Sequence, residues 1–165
     1  MSAAITLEEL VVWNGEAAAF WNSHLESNPA LLDLPCGIGG AVNVQELVRH
    51  IWGAELRWAQ RLAGVPVIAR EDLPAGPLPA LYDLHRKADA VLRPLFNDSP
   101  DRWEEIYLLD IPSIPADARS LSRRKVAGHM LFHSHRHWAQ LATLLRQAGF
   151  PAPFKGDLLF SSALA

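Results

Sequence analysis

The sequence predicts an all-α fold, a helix bundle in a single domain spanning residues 1–165, on three observations. Four segments repeat apolar residues at the i, i+3, i+4 spacing of a helix that buries one face. Stretches rich in proline and glycine separate them. Capping residues stand where several segments begin and end. A chain of 165 residues is long enough to bury a core within one domain.

The first helix is expected over 6–24. Thr6 can cap it, with Glu9 at capping-box spacing. Leu7, Leu10, Val11, Ala17, Ala18 and Trp21 form its apolar stripe, and Asn14 interrupts it. The segment NPALLDLPCGIGG then breaks the helix. The second helix, 43–62, begins with Asn43 and Glu46 and stops at Gly64. Leu47, His50, Ile51, Ala54 and Trp58 make its inward stripe. A loop with Pro66, Pro74, Pro77 and Pro79 leads to a third helix over 80–96, which Pro94 caps or kinks.

Between Asp98 and Ser120 the pattern changes. Trp103, Ile106, Tyr107 and Leu108 suit a short strand or irregular flap, so a small hairpin is compatible with this region; Pro112 and Pro115 exclude a regular helix. The fourth helix, 122–148, is the longest. Ser120 or Ser122 starts it, and Gly149 and Pro151 follow its end.

Half the residues are hydrophobic and the net charge is −3, with a pI near 6.1. No global basic field exists, which argues against nucleic acid as the main partner. Cys36 is the only cysteine, so no intramolecular disulfide forms, as suits a cytoplasmic location. The N-terminal stretch has no basic region before its apolar residues, so no signal peptide is expected. No run approaches the roughly 20 apolar residues of a membrane span.

Four of the seven histidines fall between His129 and His137. His133 and His137 are one helical turn apart, with side chains about 40° apart around the axis. Both imidazoles can then reach one ion at about 2.0–2.1 Å. His129 shares the face, but a drift of roughly 80° to His137 makes a three-ligand site on one straight helix awkward. His135 points away. A further ligand must come from another element, and His50 on the second helix is the best candidate; a core histidine bonded to a backbone carbonyl is the alternative. Glu46 or Gln140 can steady a ligand's second nitrogen. His24 and His85 read as surface or cap residues.

Together these residues resemble the DinB superfamily, in its DinB and bacillithiol-transferase-like group. The matching stretches are LVRHIWGAELRWAQRLAG and HMLFHSHRHWAQLATLLRQAGFPAPFKGDLLF. His50, Glu55 and Trp58 match the family's histidine, acid and aromatic on the second helix. His133, His137, Gln140 and Gly149 match its H-x-x-x-H helix, and Pro151, Asp157, Leu158 and Phe160 its tail. Phe132, Trp138 and Ala139 depart from the family pattern. The resemblance implies an antiparallel four-helix bundle with a long crossover, a homodimer, and a divalent metal ion, nickel or zinc, on His50, His133 and His137.

Three neutral ligands leave at least one coordination position open, which favours chemistry over a closed structural site. Relatives that use low-molecular-weight thiols suggest a metal-dependent transferase, with a small thiol and an electrophile as partners. A non-catalytic, stress-related metal-binding dimer is the alternative. Metal-assisted hydrolysis ranks lower, because no H-E-x-x-H supplies a base. Trp52, Trp58 and Trp138 flank the histidines and are pocket candidates, with core or dimer packing the commoner role for such residues. Cys36 carries no sequence signal of a catalytic thiol, and Arg123, Arg124 and Lys125 read as a solvated face.

Overall fold

The computed structural model describes residues 4–109, 111 and 114–164. Pro112 and the first three residues of the N-terminal stretch lie outside the described residues. Among the described residues the fold is mainly helical, with five α-helices and a two-stranded sheet. Helix α1 is Leu7–Ser27, α2 is Val44–Ala63, α3 is Leu78–Leu92, α4 is Asp101–Glu104 and α5 is Arg123–Gln147. Strands β1 (Ile106–Leu108) and β2 (Ser120–Ser122) pair antiparallel, with Ile106 opposite Ser122.

The caps account for the boundaries. The Thr6 hydroxyl accepts the Glu9 N–H at 3.2 Å, and the Glu9 carboxylate accepts the Thr6 N–H at 2.6 Å. Asn43 accepts the Glu46 N–H at 2.9 Å, and Gly64, in the left-handed region, ends α2. Ser122 accepts the Lys125 N–H at 3.2 Å. The third helix is shorter than the periodicity suggests. Pro94 lacks the donor that would continue it, and Arg93–Asn97 tightens into a 3₁₀ stretch. The single turn α4 has no counterpart in the sequence reading, since it is too short to show a period.

Helix α2 packs against α3 and α5, and α1 against α5 and α3. Trp21 of α1, Trp52 of α2 and Trp138 of α5 are fully buried together. The Trp138 ring lies 5.6 Å from each of the other two. Trp52 and Trp138 are therefore core residues rather than pocket walls; an indole facing the helix contacts is worth more desolvated than wet. The C-terminal tail returns over α1, where Trp13 Nε1–H donates to Gly156 O at 3.1 Å. Among the described residues no helix is long and apolar enough to cross a membrane.

The segment before α2 does more than break a helix. Cys36 N–H donates to Val42 O at 2.9 Å and Val44 N–H to Leu34 O at 3.1 Å. These bonds fold the Cys36–Gly40 loop back across the N-terminal half of α2, over His50.

Candidate metal centre

His50 projects from α2 toward α5, where His133 and His137 stand one turn apart. The fold brings the three together: one ring nitrogen of each lies within 4.8 Å of the others, a group that can hold a metal ion. Ring centres are 5.1 Å apart for His50 and His133, 5.0 Å for His50 and His137, and 4.5 Å for His133 and His137. Tetrahedral ligands at about 2.1 Å stand roughly 3.4 Å apart, so small ring rotations close the set on an ion. His129 stays on the exposed side, its ring 5.8 Å from that of His133 and edge-on to Trp58 at 5.3 Å.

Two observations fit a metal at this place. His133 Nδ1 is buried with no hydrogen-bond partner, and a buried polar atom left unpaired is costly. His137 Nδ1 lies 2.8 Å from Gln140 Oε1. That acceptor fixes the proton on Nδ1 and leaves the Nε2 lone pair for a ligand role. Burial, then the neighbouring imidazoles and arginines, hold His50 down to about 4 and His133 down to about 3. Burial also lowers His137. All three rings are thus neutral at pH 7, the form that binds metal.

Glu46 does not steady a histidine. Its carboxylate accepts the Val42 N–H at 3.0 Å and so fastens the covering loop. That loop contributes Gly39, whose backbone sits at φ +62°, a conformation side chains rarely adopt. A Cβ there would meet His137 Cε1 at 3.4 Å and His50 Nε2 at 3.8 Å. Both distances are ordinary contacts, so it is the left-handed backbone that calls for glycine where the loop closes over the two rings. Beyond it a depression of about 190 Å³ opens beside His50, lined by Gly40, Arg49, Arg57 and Arg70 among others. On the other side Arg136 comes within 3.4 Å of His137 Nε2.

Sequence reasoning missed Gly39 and the arginines. The GIGG run carried a signal, but one that reads equally as a helix breaker. Arg70 lies in an aperiodic loop, which the packing of Leu73 against Gly53 and hydrogen bonds from α2 side chains carry to α2; a Cβ on Gly53 would sit 2.6 Å from Leu73 Cδ1.

His85 corrects the surface reading. It is buried, and its Nδ1 lies 2.7 Å from Glu55 Oε2. Asn14 Nδ2 donates to Glu55 Oε1 at 3.0 Å, so Asn14, the polar interruption of the first stripe, meets its partner here. Burial pushes the Glu55 carboxyl up, but the His85 charge and the bonds from His85, Asn14 and Ser134 outweigh it and hold it below its ordinary value. His135 points away from the metal group, as its register requires, and stacks on Trp13 at 3.4 Å.

The DinB family model matches residues 4–160. No curated protein matches the chain.

Proposed function

The chain belongs to the DinB family, and we propose that it binds a divalent metal ion, nickel or zinc, through His50, His133 and His137 and uses it to transfer a low-molecular-weight thiol to an electrophile. The observation that carries the reading is the convergence of three neutral imidazoles from two helices within 4.8 Å, with no fourth protein ligand grouped with them among the described residues. An ion held there would keep a coordination position open and favour the thiolate form of a thiol entering it.

The protein groups have separate parts in this reading. Gln140 orients His137, and the Gly39 backbone shields the rings from water. The thiol releases its proton to solvent, its sulfur forms a bond to the electrophilic carbon, and the leaving group departs with its bonding pair. No protein nucleophile is needed. Hydrolysis is disfavoured because Glu55, the buried carboxylate of α2, is committed to Asn14 and His85 rather than to a water near the histidines.

The reading takes α1, α2, α3 and α5 as an antiparallel bundle in one domain. It also includes a cytoplasmic homodimer. The single cysteine supports the compartment, and the exposed Phe132 on α5 supports an interface. The test mixes the nickel- or zinc-loaded protein with a small thiol and 1-chloro-2,4-dinitrobenzene. Conjugation above the uncatalysed rate, lost on chelation, is expected. Stoichiometric metal without turnover across a panel of thiols overturns the transferase and leaves a metal-binding protein.

A further inference from the structure

The depression beside His50 has a charge pattern that the metal reading does not use. Arg49, Arg57 and Arg70 line it, and Glu46 is the one acid among its lining residues. Glu46 is bonded to the Val42 N–H. Arg49 Nε donates to Pro74 O at 2.9 Å, and its Nη2 donates to Leu73 O at 2.6 Å. Arg57 Nε donates to Ile68 O at 3.1 Å. Carbonyl oxygens fix a guanidinium without neutralising it, so these charges are held in place and left uncompensated.

Several arginines elsewhere on the surface behave differently. Arg86, Arg93, Arg102, Arg123 and Arg124 each pair with a carboxylate. Among the described residues Arg49, Arg57, Arg70 and Arg136 make no ion pair. Among the described residues no carboxylate acts on the three ligand rings, whereas Arg70 and Arg136 act on His50. Three neutral ligands would leave a divalent ion's charge intact, adding to the same positive field. Such a place recruits an anion.

We infer that this depression is an anion subsite: the small molecule whose sulfur takes the open metal position carries a carboxylate that Arg70 and Arg57 bind. The inference rests on the thiol reading above and narrows its substrate class to acidic thiols. Arg57 bonds the chain through Nε alone, which leaves both terminal nitrogens available, and Arg70 presents its whole guanidinium, so both retain the fork that receives a carboxylate in two parallel bonds.

The test titrates the cobalt(II)-loaded full chain with 4-mercaptobutanoate and with 4-mercapto-1-butanol, following the sulfur-to-cobalt charge-transfer band. The acid is expected to bind about tenfold more tightly, the worth of one charge-assisted contact. Arg70→Gln reduces this preference, and Arg70→Gln with Arg57→Gln removes it, the loss of affinity falling mainly on the acid and only slightly on the alcohol. Arg70→Lys, which keeps the charge, retains part of the preference and separates the effect from folding. Equal affinity for the two thiols overturns the subsite alone. So does a preference that survives in the double variant, since the carboxylate would then be chelating cobalt directly. Failure of the wild type to take up cobalt overturns the metal reading, and cobalt uptake without a band from either thiol overturns the thiol reading; the subsite falls with either.

Discussion

Two buried polar clusters among the described residues contain histidine, and the helices treat them in opposite ways. In one, His85 meets Glu55 at 2.7 Å, Asn14 bonds the other carboxylate oxygen, and the adjoining space is about 10 Å³, barely enough for one water. In the other, His50, His133 and His137 meet with arginines around them, one buried nitrogen without a partner, and a depression of about 190 Å³ alongside. The first cluster is satisfied from within the chain, acid against base. The second is complete only when something is added. A histidine's function here is set by what its second nitrogen and its charge lack, and less by how deeply it is buried.

The largest effect that sharpens this contrast is on stability. Glu55→Ala leaves His85 and Asn14 buried without their acceptor and is expected to cost about 3–5 kcal/mol in urea unfolding, the range for a buried pair broken on one side. The folded fraction should still bind metal as the wild type does. A loss under about 1 kcal/mol would show that the cluster is not the satisfied unit described.

Gln140→Leu should do the reverse, weakening metal affinity about 10–100-fold, as for groups that orient a ligand, with little change in the urea midpoint. Metal competition titration with a chromophoric chelator reads it. Unchanged affinity would remove Gln140 from the site.

Gly39→Ala should cost about 1 kcal/mol from the left-handed backbone. The new methyl meets His137 Cε1 only at contact distance, so metal affinity should fall through displacement of the strained loop. Equal affinity in calorimetric titration would mean that the loop can lift away at no cost to the site.

The smallest expected effect is a slope with pH. His50 and His133 are held below their ordinary value of 6.5. Between 6.5 and their folded values the unfolded chain binds more protons, so the metal-free protein loses stability as pH falls through that window. His85, raised by Glu55 once the opposing effect of burial is outweighed, contributes with the opposite sign. Its stabilisation is present below 6.5 and fades as pH rises through its folded value. His133→Ala should flatten the acid-side slope of chemical denaturation measured from pH 7 to about 4. A slope unchanged in that variant would contradict the neutral, desolvated state of the ring.

Much of the scaffold was legible in the sequence. Thr6, Asn43 and Ser122 marked helix starts because a cap is local chemistry, and Pro94 marked where α3 tightens. The pair on α5 was legible because one turn of helix fixes its spacing. The role of Glu55 was not. The resemblance matched it by position, but its partners sit 41 and 30 residues away in the chain, and no period links helices to one another. For the same reason His85 read as a surface residue and Asn14 as a flaw in a stripe. The covering glycine and the arginine wall depend on how two aperiodic loops fold onto α2, which tertiary packing alone decides.

Metal content tests the three-histidine site most directly. The purified protein and its His50→Ala, His133→Ala and His137→Ala variants, each confirmed as folded by circular dichroism, are assayed by inductively coupled plasma mass spectrometry after equal exposure to nickel and zinc. One ion per chain in the wild type, with a sharp loss in each of the three variants and none in His129→Ala or His85→Ala, is the result expected. Wild-type metal in all three variants, or loss in His129→Ala alone, would contradict the site.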